Sequence, residues 1–76
     1  MKTYLRLGAD TLMAAQPYQS KAAAIAAYAK AARDLARFGQ CIEASLHYAK
    51  NTGELNEYPN FVLSIGPRNG IRCERA

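Results

Sequence analysis

The segment that most constrains this chain is Ser20 to Phe38 (SKAAAIAAYAKAARDLARF), the one stretch with a helical period. Ile25, Tyr28, Ala29, Ala32, Leu35 and Ala36 recur at spacings of three and four. They make a single apolar stripe, of the width that packs on a sheet. Ser20 stands at the start, where its side-chain oxygen can accept a backbone N–H that the first turn leaves unpaired. Gly39 follows the last helical residue, where a left-handed terminator belongs. Lys30, Arg33 and Arg37 form a basic strip along one flank, and Ala23, Ala27 and Ala31 form the remaining outward face. Alanines are the strongest helix formers. They also leave a smooth face that another chain can approach closely.

A helix with one stripe needs a sheet to bury it, and the flanking segments have the period of two that supplies one. Lys2 to Leu7 alternates, with Tyr4 and Arg6 on one side and Leu5 and Leu7 on the other. Residues 11–18 read either as a short returning strand or as an apolar loop, with Pro17 excluded from any central ladder position. Gln40 to Tyr48 alternates cleanly: Ile42, Ala44 and Leu46 inward, Glu43, Ser45 and His47 outward. Lys50 to Asn60 is a polar loop. Phe61, Leu63 and Ile65 begin a hairpin whose turn is Gly66-Pro67-Arg68-Asn69-Gly70, since Asn-Gly favours positive φ. Ile71 to Arg75 returns, with Ile71 and Cys73 inward and Arg72 and Glu74 outward. The expected fold is α+β, one domain over residues 1–76, with the helix on one face of a mostly antiparallel sheet of four to five strands. The other face, with Glu43, Ser45, His47, Arg72 and Glu74, is expected to be open.

Seventy-six residues carry a formal charge of +4. A chain of this length buries only about 60% of its unfolded surface. Many of its apolar residues are alanines, so the core is thin. Association of two copies would help, through an exposed strand edge or the Ala23–Ala27–Ala31 face. The N-terminal MKTYLRLGAD has no long apolar core, and no apolar run approaches the ~20 residues of a membrane span. The expectation is a cytoplasmic protein with no membrane segment. The two cysteines, Cys41 and Cys73, make neither a disulfide framework nor a metal signature. They read as small buried apolar residues in a reducing compartment, with a Cys41–Cys73 bridge as the alternative.

Residues that carry chemistry are few. His47 is the lone histidine and falls on the polar strand face, as a surface residue. No serine sits in a nucleophile motif, and the carboxylates are scattered. No catalytic residue, metal site or cofactor is expected. The glycine-rich GPRNG joins two strands and opens no helix, so the helix-dipole argument for phosphate binding does not apply. Arg68 at its tip can still touch a phosphate or a carboxylate. The candidate binding residues are Lys30, Arg33, Arg37, Arg68 and Arg72, with Tyr4, Tyr48 and Tyr58 available to stack on bases.

The segments KAAAIAAYAKAARDLARFGQCIEASLH and EYPNFVLSIGPRNGIRCERA together span over half of the chain. They resemble small proteins carried by bacteriophages and plasmids. Among these, the anti-CRISPR proteins are similar in size and build: one small domain, a helix or two on an antiparallel sheet, no catalytic centre. The resemblance implies inhibition by occupying a surface of a bacterial CRISPR effector complex. Many such proteins are strongly acidic mimics of nucleic acid. This chain is basic, so it would instead dock on an acidic or apolar protein surface, or bind nucleic acid beside the effector. The expected function is a non-enzymatic protein-binding module of a mobile genetic element. The alternative is a small basic DNA- or RNA-binding regulator, whose affinity would fall steeply with salt.

Overall fold

The computed structural model describes residues 1–8, 10–66 and 70–76. Strand β1 (Lys2–Leu7) leads through a 3-10 turn at Leu12–Ala14 to β2 (Gln16–Tyr18) and then to helix α1 (Lys21–Ala36). Strands β3 (Ala44–Ala49), β4 (Phe61–Ile65) and β5 (Ile71–Arg75) follow. The strands form one antiparallel sheet in the order β2-β1-β3-β4-β5, with α1 across one face. This is the expected α+β arrangement. Residues 11–18 turn out to be both a turn and a strand, and Pro17 lies on an edge strand, where its missing N–H is tolerated.

Register explains the core. Leu5 lies opposite Leu46 and Leu46 opposite Phe61; Leu7 lies opposite Ala44 and Ala44 opposite Leu63. These rows face α1, which presses Ala24, Tyr28 and Ala32 onto them. Tyr28 has no solvent exposure. Its hydroxyl donates to the Ile42 carbonyl, in the segment joining α1 to β3. Burial pushes its phenol above the usual tyrosine range, with Glu43 and Cys41 adding to the effect.

The ends of α1 are those the sequence marks. The Ala23 N–H donates to Ser20 Oγ at 3.1 Å. At the other end Gly39 takes φ 72°, the Gln40 N–H reaches the Leu35 carbonyl at 3.1 Å and the Gly39 N–H reaches that of Ala36 at 3.0 Å. That pair of bonds closes the helix as a Schellman motif.

Several expectations need correction. The helix is rotated relative to the expected stripe: Ala24 is buried and Ala36 exposed. Ala27 packs against the core and Ala31 is half-buried, so Ala23, Ala27 and Ala31 do not form a free face. Strand β3 starts at Ala44, because Gln40 to Glu43 carry the chain from the helix terminator to the sheet. Ile42 nevertheless packs against the core, as its alternation implied.

The sheet face away from α1 is covered over much of its area. Ser45 and His47 are buried, His47 to 2% exposure, and Tyr4 is buried against Ala15, Ala49 and Leu55. The loop after β3 is anchored and does not float. Asn60 accepts from the Tyr48 N–H at 2.9 Å through Oδ1 and donates its own N–H to the Leu46 carbonyl at 2.7 Å. Arg6 and Glu57 pair at 3.2 Å across the gap. Glu43, Arg72 and Glu74 remain exposed. Both cysteines are exposed and free. Cys73 sits on β5, beyond the strands that α1 covers, and Cys41 on the segment before β3. Of the expected hairpin turn, Pro67, Arg68 and Asn69 lie outside the described residues.

This architecture ranks two substitutions. Leu46→Ala, at the sheet centre with no exposure, should lower unfolding free energy by about 2–5 kcal/mol. Ser20→Ala should cost about 1 kcal/mol. Urea denaturation of both variants tests the ranking; a milder loss for Leu46→Ala would place the core elsewhere.

Candidate functional site

The main surface feature is an open groove between α1 and the β4–β5 hairpin. It is lined by Ala29, Ala32, Arg33, Ala36, Ile65 and Ile71 and has a volume of about 440 Å³. The groove follows from side-chain size. Ile65 and Ile71 lie opposite each other at the end of the hairpin, and the alanines of α1 are too short to fill the space between helix and strands. The floor is apolar and the rim is basic. Arg33 turns back along the helix, its Nε donating to the Ala29 carbonyl at 3.3 Å.

Lys30, Arg33 and Arg37 all lie on the exposed side of α1, as expected. None of the three pairs with a carboxylate among the described residues. Arg33 in the last turn of α1 and Arg37 at its C-cap are favoured by the carbonyl end of the helix dipole. Phe38 follows at the end of the same helix with 79% exposure. The sequence period assigned Phe38 to the helix and missed it as a surface aromatic. Its position after the stripe ends, next to Arg37, was the available signal.

Arg72 is not part of this group. It lies on the far face of the sheet, opposite Ser64, and pairs with Glu74 at 3.1 Å. A side chain at Gly66 would strike the Arg72 stem at 2.8 Å, so that glycine makes room for it. Arg68 lies outside the described residues. The structure therefore brings together three of the five expected binding residues.

A second corner joins aromatic and cationic groups. The Tyr48 and Phe61 rings meet edge to face with centroids 6.0 Å apart. Lys21 Nζ stands 3.8 Å from the Phe61 centroid. Tyr48, Phe61 and Arg75 share a shallow depression with Pro59 and Asn60. Tyr58 is exposed, whereas Tyr4 is buried and unavailable for stacking.

On the covered face, Ser45 Oγ and His47 Nε2 are hydrogen-bonded at 2.8 Å. The Ser-x-His spacing on one strand face was the sequence signal for this pair. A hydroxyl beside a neutral imidazole is the pairing that activates a nucleophile. Here Arg6 stands beside the ring, which opposes the imidazolium that such a base must become. Among the described residues, His47 Nδ1 and Arg6 Nε have no partner in hydrogen-bond geometry. Burial holds the His47 pKa below its ordinary 6.5, and Arg6 lowers it further, while the Asn56 backbone and Glu57 pull it up by less. No group of three or more potential metal ligands occurs among the described residues. Among the described residues no helix is long and apolar enough to cross a membrane.

No known protein family matches this chain, and no curated protein or solved structure matches it either.

The buried imidazole makes stability depend on pH. The folded pKa lies below the unfolded one, so the unfolded chain binds the extra proton first. Stability from this group is complete above pH ~6.5 and falls as pH drops through the interval down to the lowered folded value. Thermal melts of the wild type and of His47→Gln across pH 4 to 8 should diverge in slope there. Parallel curves would mean that His47 is solvated.

Proposed function

We propose that this chain is a non-enzymatic binding module that docks on an acidic protein surface through the exposed side of α1 and the groove beside it. The observation that carries the reading is the adjacency of three cations, none paired with a carboxylate among the described residues, to an apolar groove, with Arg33 belonging to both. Arginine and aromatic side chains set in an apolar surround are the groups that dominate protein interfaces. Phe38 and Arg37 extend the same surface beyond the end of the helix.

The sharpest form of the reading is inhibition of a bacterial CRISPR effector complex by occupying one of its surfaces, as a product of a mobile genetic element in the host cytosol. It rests on the resemblance of the two segments Lys21–His47 and Glu57–Ala76 to small phage and plasmid proteins, and on the need of a basic chain for an acidic docking surface.

A second reading, nucleic-acid binding, is favoured by the corner where Tyr48, Phe61, Lys21 and Arg75 gather. The two readings place their contacts at opposite ends of α1, so they separate experimentally. Tagged protein is used to capture partners from bacterial lysate with an active CRISPR system, with and without nuclease. A protein partner that survives nuclease supports the first reading. Arg33→Glu with Arg37→Glu should then weaken capture more than tenfold, since interface anchors contribute about 2 kcal/mol each, while the circular dichroism spectrum stays that of the folded chain. Undiminished capture by the double variant would move the interface off α1. For the second reading, anisotropy titrations with single-stranded oligonucleotides should show affinity falling steeply with salt. Absence of binding at low salt would remove it.

A further inference from the structure

The β4–β5 ladder fixes which way each backbone group of β5 points. Its two outermost bonds run from the Gly66 N–H to the Gly70 carbonyl at 2.6 Å and from the Ala76 N–H to the Asn60 carbonyl at 3.3 Å. Between them Ser64 lies opposite Arg72, Leu63 opposite Cys73 and Val62 opposite Glu74. Hydrogen-bonded pairs alternate with non-bonded pairs in an antiparallel ladder. Arg72 and Glu74 therefore bond inward to β4. Ile71, Cys73 and Arg75 direct their N–H and C=O groups away from it, and no strand among the described residues receives them. From Arg72 to Arg75 the strand is exposed, and α1 packs on β1 to β4.

An unpaired edge is a template for another strand, and charge decides which strand fits this one. Two copies of β5 related by a two-fold axis perpendicular to the sheet must pair antiparallel, with residues of the same face opposite each other. The register centred on Cys73 sets each Arg72 against Glu74 of the partner subunit and pairs all five residues. Moving by two residues one way sets Arg72 against Arg72 of the partner subunit. Moving the other way sets Glu74 against Glu74 of the partner subunit. Like charges directly opposite are unfavourable and opposite charges favourable. Shifts by one residue bring helix-side positions against back-face positions and break the ladder.

We infer that this chain forms a symmetric dimer through β5, with Cys73 opposite Cys73 of the partner subunit and the two five-stranded sheets fused into one. In that register the free N–H and C=O groups of Ile71, Cys73 and Arg75 meet counterparts, so the bonds left open by β4 close. The Arg72–Glu74 pair, already 3.1 Å apart within one chain, becomes a cluster of four alternating charges across the two-fold axis. The interface borders the α1 groove at Ile71, whose side chain lines the groove while its backbone lies on the free edge, and it is isologous, as closed dimers require.

Sedimentation velocity of the full chain at rising concentration should show a species of twice the 8.3 kDa chain mass. Arg72→Glu alone and Glu74→Arg alone each put like charges opposite and should return the monomer. The double exchange Arg72→Glu with Glu74→Arg restores every opposite pair and should restore the dimer, which distinguishes register from misfolding. In a Cys41→Ser background, diamide should cross-link the chain through Cys73. The oxidant takes one hydrogen from each thiol, becomes the hydrazine, and leaves a disulfide at a Cα separation of about 5.5 Å, within the range such bonds accept. A monomer at every concentration, a dimer indifferent to the single exchanges, a double exchange that stays monomeric, or cross-linking that needs Cys41 would each overturn the inference.

Discussion

The hydroxyl of Tyr28 is the group on which the rest of the molecule is arranged. A phenol with no solvent contact must find its partner inside, and it finds the Ile42 carbonyl. That bond joins the middle of α1 to the segment entering β3, and so fixes both the rotation of the helix and its distance from the sheet. Ala24 and Ala32, one turn to either side, are pressed flat on the strands, where a larger side chain would lift the helix away. Lys30, Arg33 and Arg37 are turned outward by the same rotation. The alanines that allow close approach at the centre leave the groove beside Ile65 and Ile71 empty. One buried hydrogen bond thus sets the core and, at the helix edge, the candidate surface.

The opposite face is governed by different chemistry. Leu55 is the apolar residue that draws the loop after β3 down onto Tyr4, Ala15 and Ala49, and the Arg6–Glu57 pair sits over the polar residues enclosed with it. Burying Ser45 and His47 there costs free energy unless their polar atoms find partners, which the bond between them supplies in part. The charged form of the ring is the expensive one. The molecule therefore keeps its adaptable chemistry, the basic and apolar groove, on the helix side and encloses its one titrating ring on the other.

Much of the fold was readable because local rules and global packing agree. Ser20 and Gly39 bound α1 where their chemistry places them, and the alternation from Phe61 to Ile65 and from Ile71 to Arg75 gives the hairpin strands. The misses share one cause. Alternation tells which side of a strand a residue faces, but not what lies above that side. Ser45 and His47 do face away from Ile42, Ala44 and Leu46, yet a distant loop covers them. Cys73 does face the helix side, yet the helix stops short of β5, so the thiol is exposed. The basic strip on α1 was legible from spacing alone. The groove was not, since it depends on the gap between alanines and a hairpin far away in sequence.

The two ends of the sheet differ in kind. At β2 three residues form the border, and the middle one, Pro17, has no N–H to offer. At β5 five residues run free of proline. A sheet that could grow at both borders would add copies without limit and become a fibre. Among the described residues β5 alone offers such an edge, so assembly by the inferred β5 pairing uses that edge up in each copy and finishes at a count of two.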